Sequence, residues 1–176
     1  YFDVWHNSTP FVHGGHRAVI GFIHSITGFP YTIRLQQRKH APLAFDMLCA
    51  YAESIECPVT WIHTDNALEL SKSNAMVSRC LERKVRITTS SAHRSRQNPM
   101  IERFWETCGL RLRPCSVDAG LPDSFWGYNF DDAVDCIAMM PDLTPPHACP
   151  LAKILGKEVK GAYRRAWGCI CYPALH

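Results

Sequence analysis

Three short extended runs separated by glycine turns, then an alternation of helical and extended periodicity, restrict most strongly how these residues can fold. Tyr1–Val4, Arg17–His24 and Tyr31–Gln36 read as strands, divided by Gly14-Gly15 and by Gly28 with Pro30. Ala41–Ile55 then reads as a helix, with Leu43, Met47, Leu48, Tyr51 and Ile55 near helical spacing. Pro58–His63 reads as a compact buried strand that stops at Thr64-Asp65-Asn66. Asn74–Lys84 suits a second helix, with Met76, Val77, Cys80 and Leu81 on one face, and Arg86–Thr89 a further strand. The polar run Ser90–Gln97 reads as a loop. Asn98-Pro99 then opens a helix, Asn as N-cap and Pro at the first helical position, expected over Pro99–Leu112 with Ile101, Trp105, Cys108 and Leu112 as its buried stripe. A helix over Asp123–Met140, a linker over Pro141–Pro150 and a short strand at Trp167–Tyr172 complete the reading. Strands in hairpin order followed by parallel crossovers predict one α/β domain with a five-stranded mixed sheet flanked by helices. Residues 1–140 are expected to form its core and 141–176 a C-terminal extension.

Three acids occupy places where such a fold can bring them together. Asp3 lies inside the first strand, Asp65 directly follows the fourth, and Glu102 lies in the first turns of the helix opened by Asn98. The first and fourth strands of the mixed sheet are expected to be neighbours, which joins the first two acids. Converging carboxylates on rigid elements suit magnesium, a hard cation that prefers oxygen ligands and keeps much of its water. Two such ions about 4 Å apart can serve both ends of an in-line phosphoryl displacement.

The motifs around these acids have a family resemblance. His63-Thr64-Asp65-Asn66-Ala67-Leu68-Glu69 resembles the His-Thr-Asp-Asn-Gly-Gly-Glu segment of copia-type retrotransposon integrases. Ser91-Ala92-His93-Arg94-Ser95-Arg96-Gln97-Asn98-Pro99-Met100-Ile101-Glu102-Arg103 is similar to that family's Ser-Pro-Tyr-Thr-Pro-Gln-Gln-Asn-Gly-Val-Ala-Glu-Arg. Leu121-Pro122-Asp123-Ser124-Phe125-Trp126-Gly127 resembles its Leu-Pro-x-x-Phe-Trp-Gly, and Thr144-Pro145 and Trp167-Gly168-Cys169 its Thr-Pro and Phe-Gly-Cys positions. The matches run in order along nearly the whole chain.

The resemblance implies a ribonuclease H-like fold with Asp3, Asp65 and Glu102 as catalytic metal ligands for two Mg2+ or Mn2+ ions. It implies 3′-end processing of DNA followed by strand transfer, with element ends and target DNA as partners. A homo-oligomer is expected, with neither membrane nor small-molecule substrate. The implied setting is intracellular: a virus-like particle in the cytoplasm, then the nucleus for integration. Three departures qualify the match. His6-Asn7 stand where the family has Gly-Pro after its first Asp, Ala67-Leu68 replace a glycine pair, and Pro99 replaces the glycine after Asn98. Two alternatives therefore stay open, a catalytically silent nucleic-acid-binding module of the same descent and another ribonuclease H-like nuclease or transposase.

The supporting residues admit two readings each. Asn66 can orient Asp65 or touch DNA, and equally can cap a turn. Gln97 and Asn98 match the family's DNA-engaging loop, although Asn98 is also simply the helix cap. Arg94, Arg96 and Arg103 suit phosphates or a solvated surface. His63 reads as a buried structural histidine, and Trp105, Phe125 and Trp126 read as core rather than base-stacking platforms.

Composition supplies the bounds. Between Arg79 and Arg113 nine Lys/Arg stand among three acids, a local excess able to neutralise phosphates, although the whole chain carries only +3. No apolar run approaches the roughly 20 residues that span a bilayer. The nine cysteines lack Cys-x-x-Cys spacing, and the grouped His6, His13 and His16 lack that of a zinc site. No secretory signal is read at the start, where the abrupt opening on a strand is expected of a piece of a longer polypeptide.

Overall fold

The computed structural model describes residues 1–64, 73–90, 98–141, 143 and 147–159. Its elements, in chain order, are β1 (Phe2–His6), β2 (Ala18–Ile23), β3 (Pro30–Leu35), α1 (Ala41–Ser54), β4 (Trp61–Thr64), α2 (Asn74–Glu82), β5 (Arg86–Thr89), α3 (Pro99–Ala119), α4 (Trp126–Met139) and α5 (Pro150–Leu155). The strands form one mixed sheet in the order β3-β2-β1-β4-β5. β1 runs antiparallel to β2 and parallel to β4, while β4 and β5 are parallel. The expected adjacency of the first and fourth strands is therefore present, with Phe2 registered against Thr64.

Helices cover both faces, and the alternation of side chains along β2 shows why. Ala18, Ile20 and Phe22 point to one face, where Ala44, Phe45 and Cys49 of α1 and Met76 and Cys80 of α2 close over them. Val19 and Ile23 point to the other, beneath Ile101, Phe104 and Cys108 of α3 and Trp126, Phe130 and Val134 of α4. A strand buried on both sides has no polar face to show, so β2 reads Ala-Val-Ile-Gly-Phe-Ile without alternation. The edge strand β3 is tied to α4 by Arg34. Its guanidinium donates to Asp131 Oδ2 at 2.7 Å and to the Gly127 carbonyl at 3.2 Å, and lies 4.7 Å from the centre of the Phe11 ring.

Several expected details are corrected. α1 forms where its periodicity predicts, but Leu43 and Met47 are 55% and 54% exposed. The face against the sheet is instead Ala41, Ala44, Phe45, Cys49 and Ala52. Small residues let the helix backbone approach closely while Phe45 fills the space between. In α2, Leu81 likewise points outward at 73% exposure while Met76 and Cys80 are buried. α3 passes the expected end at Leu112 and continues through Pro114 to Ala119, closing on Gly120 in the left-handed conformation, φ 61°. Proline there removes one backbone hydrogen bond. Asn129 of α4, fully buried, holds the continuation by donating to the Leu112 carbonyl at 2.8 Å and to Ser116 Oγ at 2.7 Å.

The expected helix over Asp123–Met140 divides into a 3-10 turn, Asp123–Phe125, and α4. Trp126 is core, as expected, and Phe125 is half-buried. α5 arises at the end of the expected linker, with Pro150 at its first position and the Cys149 sulfur accepting from the Ala152 N–H at 3.4 Å. The strand expected at Trp167–Tyr172 lies outside the described residues.

The buried face of α1 is directly measurable. Phe45→Ala should lower unfolding free energy by about 3–5 kcal/mol, whereas Leu43→Ala should change it by about 0.5 kcal/mol or less. Urea unfolding of both variants checks this, and the opposite ranking would place Leu43 in the core.

Candidate active site

Asp3 sits in β1 opposite Gly21 of β2 and one residue beyond the Phe2–Thr64 pairing. Its half-buried carboxylate accepts a hydrogen bond at each oxygen. Oδ1 accepts the Val4 N–H at 2.7 Å, and Oδ2 accepts the indole N–H of Trp105 at 3.2 Å. The second bond needs Gly21: a Cβ there would stand 2.7 Å from Cη2 and 2.8 Å from Cζ2 of the indole. The bare glycine backbone opposite Asp3 is therefore the floor on which the Trp105 ring lies.

Glu102 is exposed in the first turn of α3, where a negative charge is favourable beside the helix's positive end. Asn98 precedes it at the N-cap position, but its side chain makes no capping bond. It turns inward, 4% exposed, and Nδ2 donates to the Phe2 carbonyl at 3.5 Å. Its Oδ1 is buried without a hydrogen-bond partner. Asn98 and Trp105 thus bracket Glu102 along the helix and grip consecutive residues of β1, Phe2 and Asp3. This double contact registers the helix bearing Glu102 against the strand bearing Asp3.

Asp65 directly follows Thr64, the buried last residue of β4, whose carbonyl accepts the Ser90 N–H at 3.0 Å. Asp65 itself lies outside the described residues, as do Asn66, Arg94, Arg96 and Gln97. Arg103 is exposed beside Glu102. His63 pairs Nδ1 with Thr88 Oγ1 at 2.9 Å and Nε2 with Ser90 Oγ at 3.3 Å, so its ring joins β4 to β5. The basic stretch is partly consumed by the fold. Arg79 and Arg83 both reach Asp46, Arg83 also reaches Glu53 at 3.3 Å, and Arg111 reaches Asp132 at 3.3 Å.

Trp105 is the residue that sequence reasoning undervalued. Its spacing places it in the core, where its ring is partly buried, but its N–H faces an acid of the candidate triad. A tryptophan three residues after Glu102, on nearly the same helix face, was the available signal.

Among the described residues no group of three or more His, Cys, Asp and Glu is placed to hold a metal ion, and the candidate triad completes only with Asp65. The donor chemistry nevertheless fits a hard divalent cation. Asp3 and Glu102 offer carboxylate oxygens, one anchored by two donors and the other open to water, with no thiolate or imidazole in the set.

Comparison with known proteins agrees with this geometry. The chain is 26% identical over 181 residues to the retrovirus-related Pol polyprotein from transposon RE1 of Arabidopsis thaliana, and 24% identical over 180 residues to that from transposon RE2. Each alignment covers 99% of this chain but only 12% of the polyprotein. A solved HTLV-2 integrase catalytic core domain, in complex with magnesium in a trimeric form, superposes with TM-score 0.62. That match has 14% identity and covers 85% of this chain and 90% of that one. A chain of the simian T-cell lymphotropic virus intasome in complex with PP2A regulatory subunit B56 gamma superposes with TM-score 0.69 at 15% identity. It covers 93% of this chain and 56% of that one. The chain is similar to retrotransposon Pol polyproteins and has the ribonuclease H-like fold of an integrase catalytic core. No family model matches it. Among the described residues no helix of this integrase-like core is long and apolar enough to cross a membrane.

The dependence of the Trp105 contact on Gly21 gives a double-mutant test. Gly21→Ala should destabilise the fold by about 1–3 kcal/mol through overpacking. Most of that loss should disappear when the same change is made in a Trp105→Ala background. Additive losses in chemical denaturation would disprove the contact.

Proposed function

We propose that this chain is the catalytic core of a retrotransposon integrase that processes DNA 3′ ends and transfers them to target DNA. The observation that carries the reading is the bracketing of Glu102 by Asn98 and Trp105. Both grip β1 at and beside Asp3, next to the end of β4 where Asp65 follows. The Pol similarity along 99% of the chain supports it.

Asp3, Asp65 and Glu102 are the residues that would hold two Mg2+ or Mn2+ ions. When bound, such ions lower the pKa of an attacking water or hydroxyl and offset charge on the reacting phosphate. The protein's own part is positional. β1 and α3 hold two of the carboxylates on rigid elements, and Val4 and Trp105 fix the rotamer of Asp3 before any DNA arrives. Arg103, together with Arg94 and Arg96, supplies positive charge for DNA phosphates, and Asn66 and Gln97 are the polar groups assigned to DNA; Asn98, expected among them, is instead turned inward onto the Phe2 carbonyl and buried. The partners are element ends and target DNA, engaged by a homo-oligomer, with the joining step in the nucleus.

A branched DNA that mimics an integration intermediate tests the reading, with Mg2+ or Mn2+ and an Asp65→Asn control. Metal-dependent resolution and rejoining is expected, reduced about a hundredfold or more in the control. Cleavage without rejoining would favour another ribonuclease H-like nuclease. Folded protein that binds this DNA without reacting would favour the catalytically silent module. DNA binding offers a separate check. Arg103→Ala should weaken binding across unrelated sequences and reduce the slope of log affinity against log salt by about one. An unchanged salt slope would remove Arg103 from the interface.

A further inference from the structure

We infer that Trp105 is a positioning residue for the metal-holding form of Asp3, an inference that rests on the function proposed above. A carboxylate on a strand can rotate about its χ angles, and a ligand that must be ordered on metal arrival binds more weakly than one already held. Here both oxygens are engaged, Oδ1 by the Val4 N–H at 2.7 Å and Oδ2 by the Trp105 indole at 3.2 Å. Each oxygen can accept more than one hydrogen bond or metal contact, so accepting one of these donors does not by itself close an oxygen to a cation. The indole has a single donor and no acceptor. It therefore favours the charged, metal-holding carboxylate and cannot itself compete for the cation.

Three further features make this more than an incidental contact. The ring is fixed from below by Gly21, the cross-strand partner of Asp3, whose missing Cβ leaves the ring its place. Phe104, Phe130 and Trp105 form a continuous aromatic group, with centroid separations of 4.9 Å and 6.0 Å, that holds the indole from the helix side. Finally, Trp105 and Glu102 lie one turn apart on α3, so the same helix carries one ligand and orients another. Outer partners of this kind typically change metal affinity by about 10–100-fold when removed.

The test uses the 176-residue chain and Mn2+ alone, titrated by calorimetry. Trp105→Phe keeps an aromatic ring and deletes the donor. The expected result is a dissociation constant for Mn2+ raised about tenfold, with a metal-free unfolding midpoint close to that of the parent. In an Asp3→Asn background the same substitution should produce little further change, because Trp105 acts through Asp3. A second readout follows the Trp105 indole N–H by NMR, where Asp3→Asn should shift the resonance and speed its exchange with solvent. Equal Mn2+ affinity in Trp105→Phe, or an equal loss with and without Asp3, would overturn the positioning role while leaving the integrase reading intact. Parent protein that binds no Mn2+ would overturn both. An indole signal that still answered to Asp3 would then mark the contact as purely structural.

Discussion

The docking of α3 against β1 is the contact on which the candidate site depends, and it is made by two polar side chains set into an apolar seam. Ile101, Phe104 and Cys108 are the buried residues of the helix, but apolar burial is non-directional and tolerates sliding. Hydrogen bonds with fixed geometry do not. Asn98 reaching the Phe2 carbonyl and Trp105 reaching the Asp3 carboxylate set the position of the helix along the strand. A slip of one residue along α3 would rotate both donors about 100° away from β1. The apolar seam thus provides the stability of the contact, and the two donors provide its register.

Burial of polar groups is costly, and the structure compensates it in part, since Asn129 Oδ1, like Asn98 Oδ1, is buried without a hydrogen-bond partner. Thr64, fully buried, accepts the Ser90 N–H at its carbonyl, and Asn129 satisfies both protons of its amide. Asp3 remains only half-buried and accepts from the Val4 N–H and the Trp105 indole. By contrast the arginine pairs around Asp46 and Glu53 involve partly solvated side chains, and such surface pairs contribute about 0–1 kcal/mol. Their greater consequence is for DNA, since Arg79 and Arg83 have partners within the fold. The excess positive charge of that sequence region therefore overstates what faces outward.

How much was legible in the sequence follows from which physical signals are local. Gly14-Gly15, Gly28 and Pro30 punctuate the hairpins by backbone preference, and the mixed-sheet pattern made the first and fourth strands expected neighbours, although the Phe2–Thr64 register came only from the structure. Arg86–Thr89 falls where it was expected, and Asn98-Pro99 marks the start of α3. The buried face of α1 was not legible, because Leu43 and Met47 share helical spacing with residues that are buried. Only the tertiary fit of Ala41, Ala44 and Ala52 against the sheet decides between the faces. The extension of α3 through Pro114 was equally hidden. Local rules end a helix before proline, and the countering hydrogen bonds come from Asn129, on a different helix. Of the candidate site, the residue types and their elements were legible, but the donor facing Asp3 was not. The spacing puts Trp105 one turn from Glu102, but which acid its N–H meets is decided by the packing of α3 on β1.

Asn98 shows the limit of such local reasoning most clearly. As an N-cap it would accept a hydrogen bond from the first turn of α3, and Asn-Pro is a sound local signal for that role. The fold gives its amide to the Phe2 carbonyl instead, leaving Oδ1 buried and without a partner. An unsatisfied buried acceptor of this kind costs about 1–3 kcal/mol. Rotating the amide gives no relief, because two oxygens would then face each other across the Asn98–Phe2 gap. The tertiary tie to β1 therefore prevails over the local cap at the cost of stability, and that tie holds Glu102 in register with Asp3. Sites that require a fixed arrangement are where conflicts between local and global preference are expected to persist.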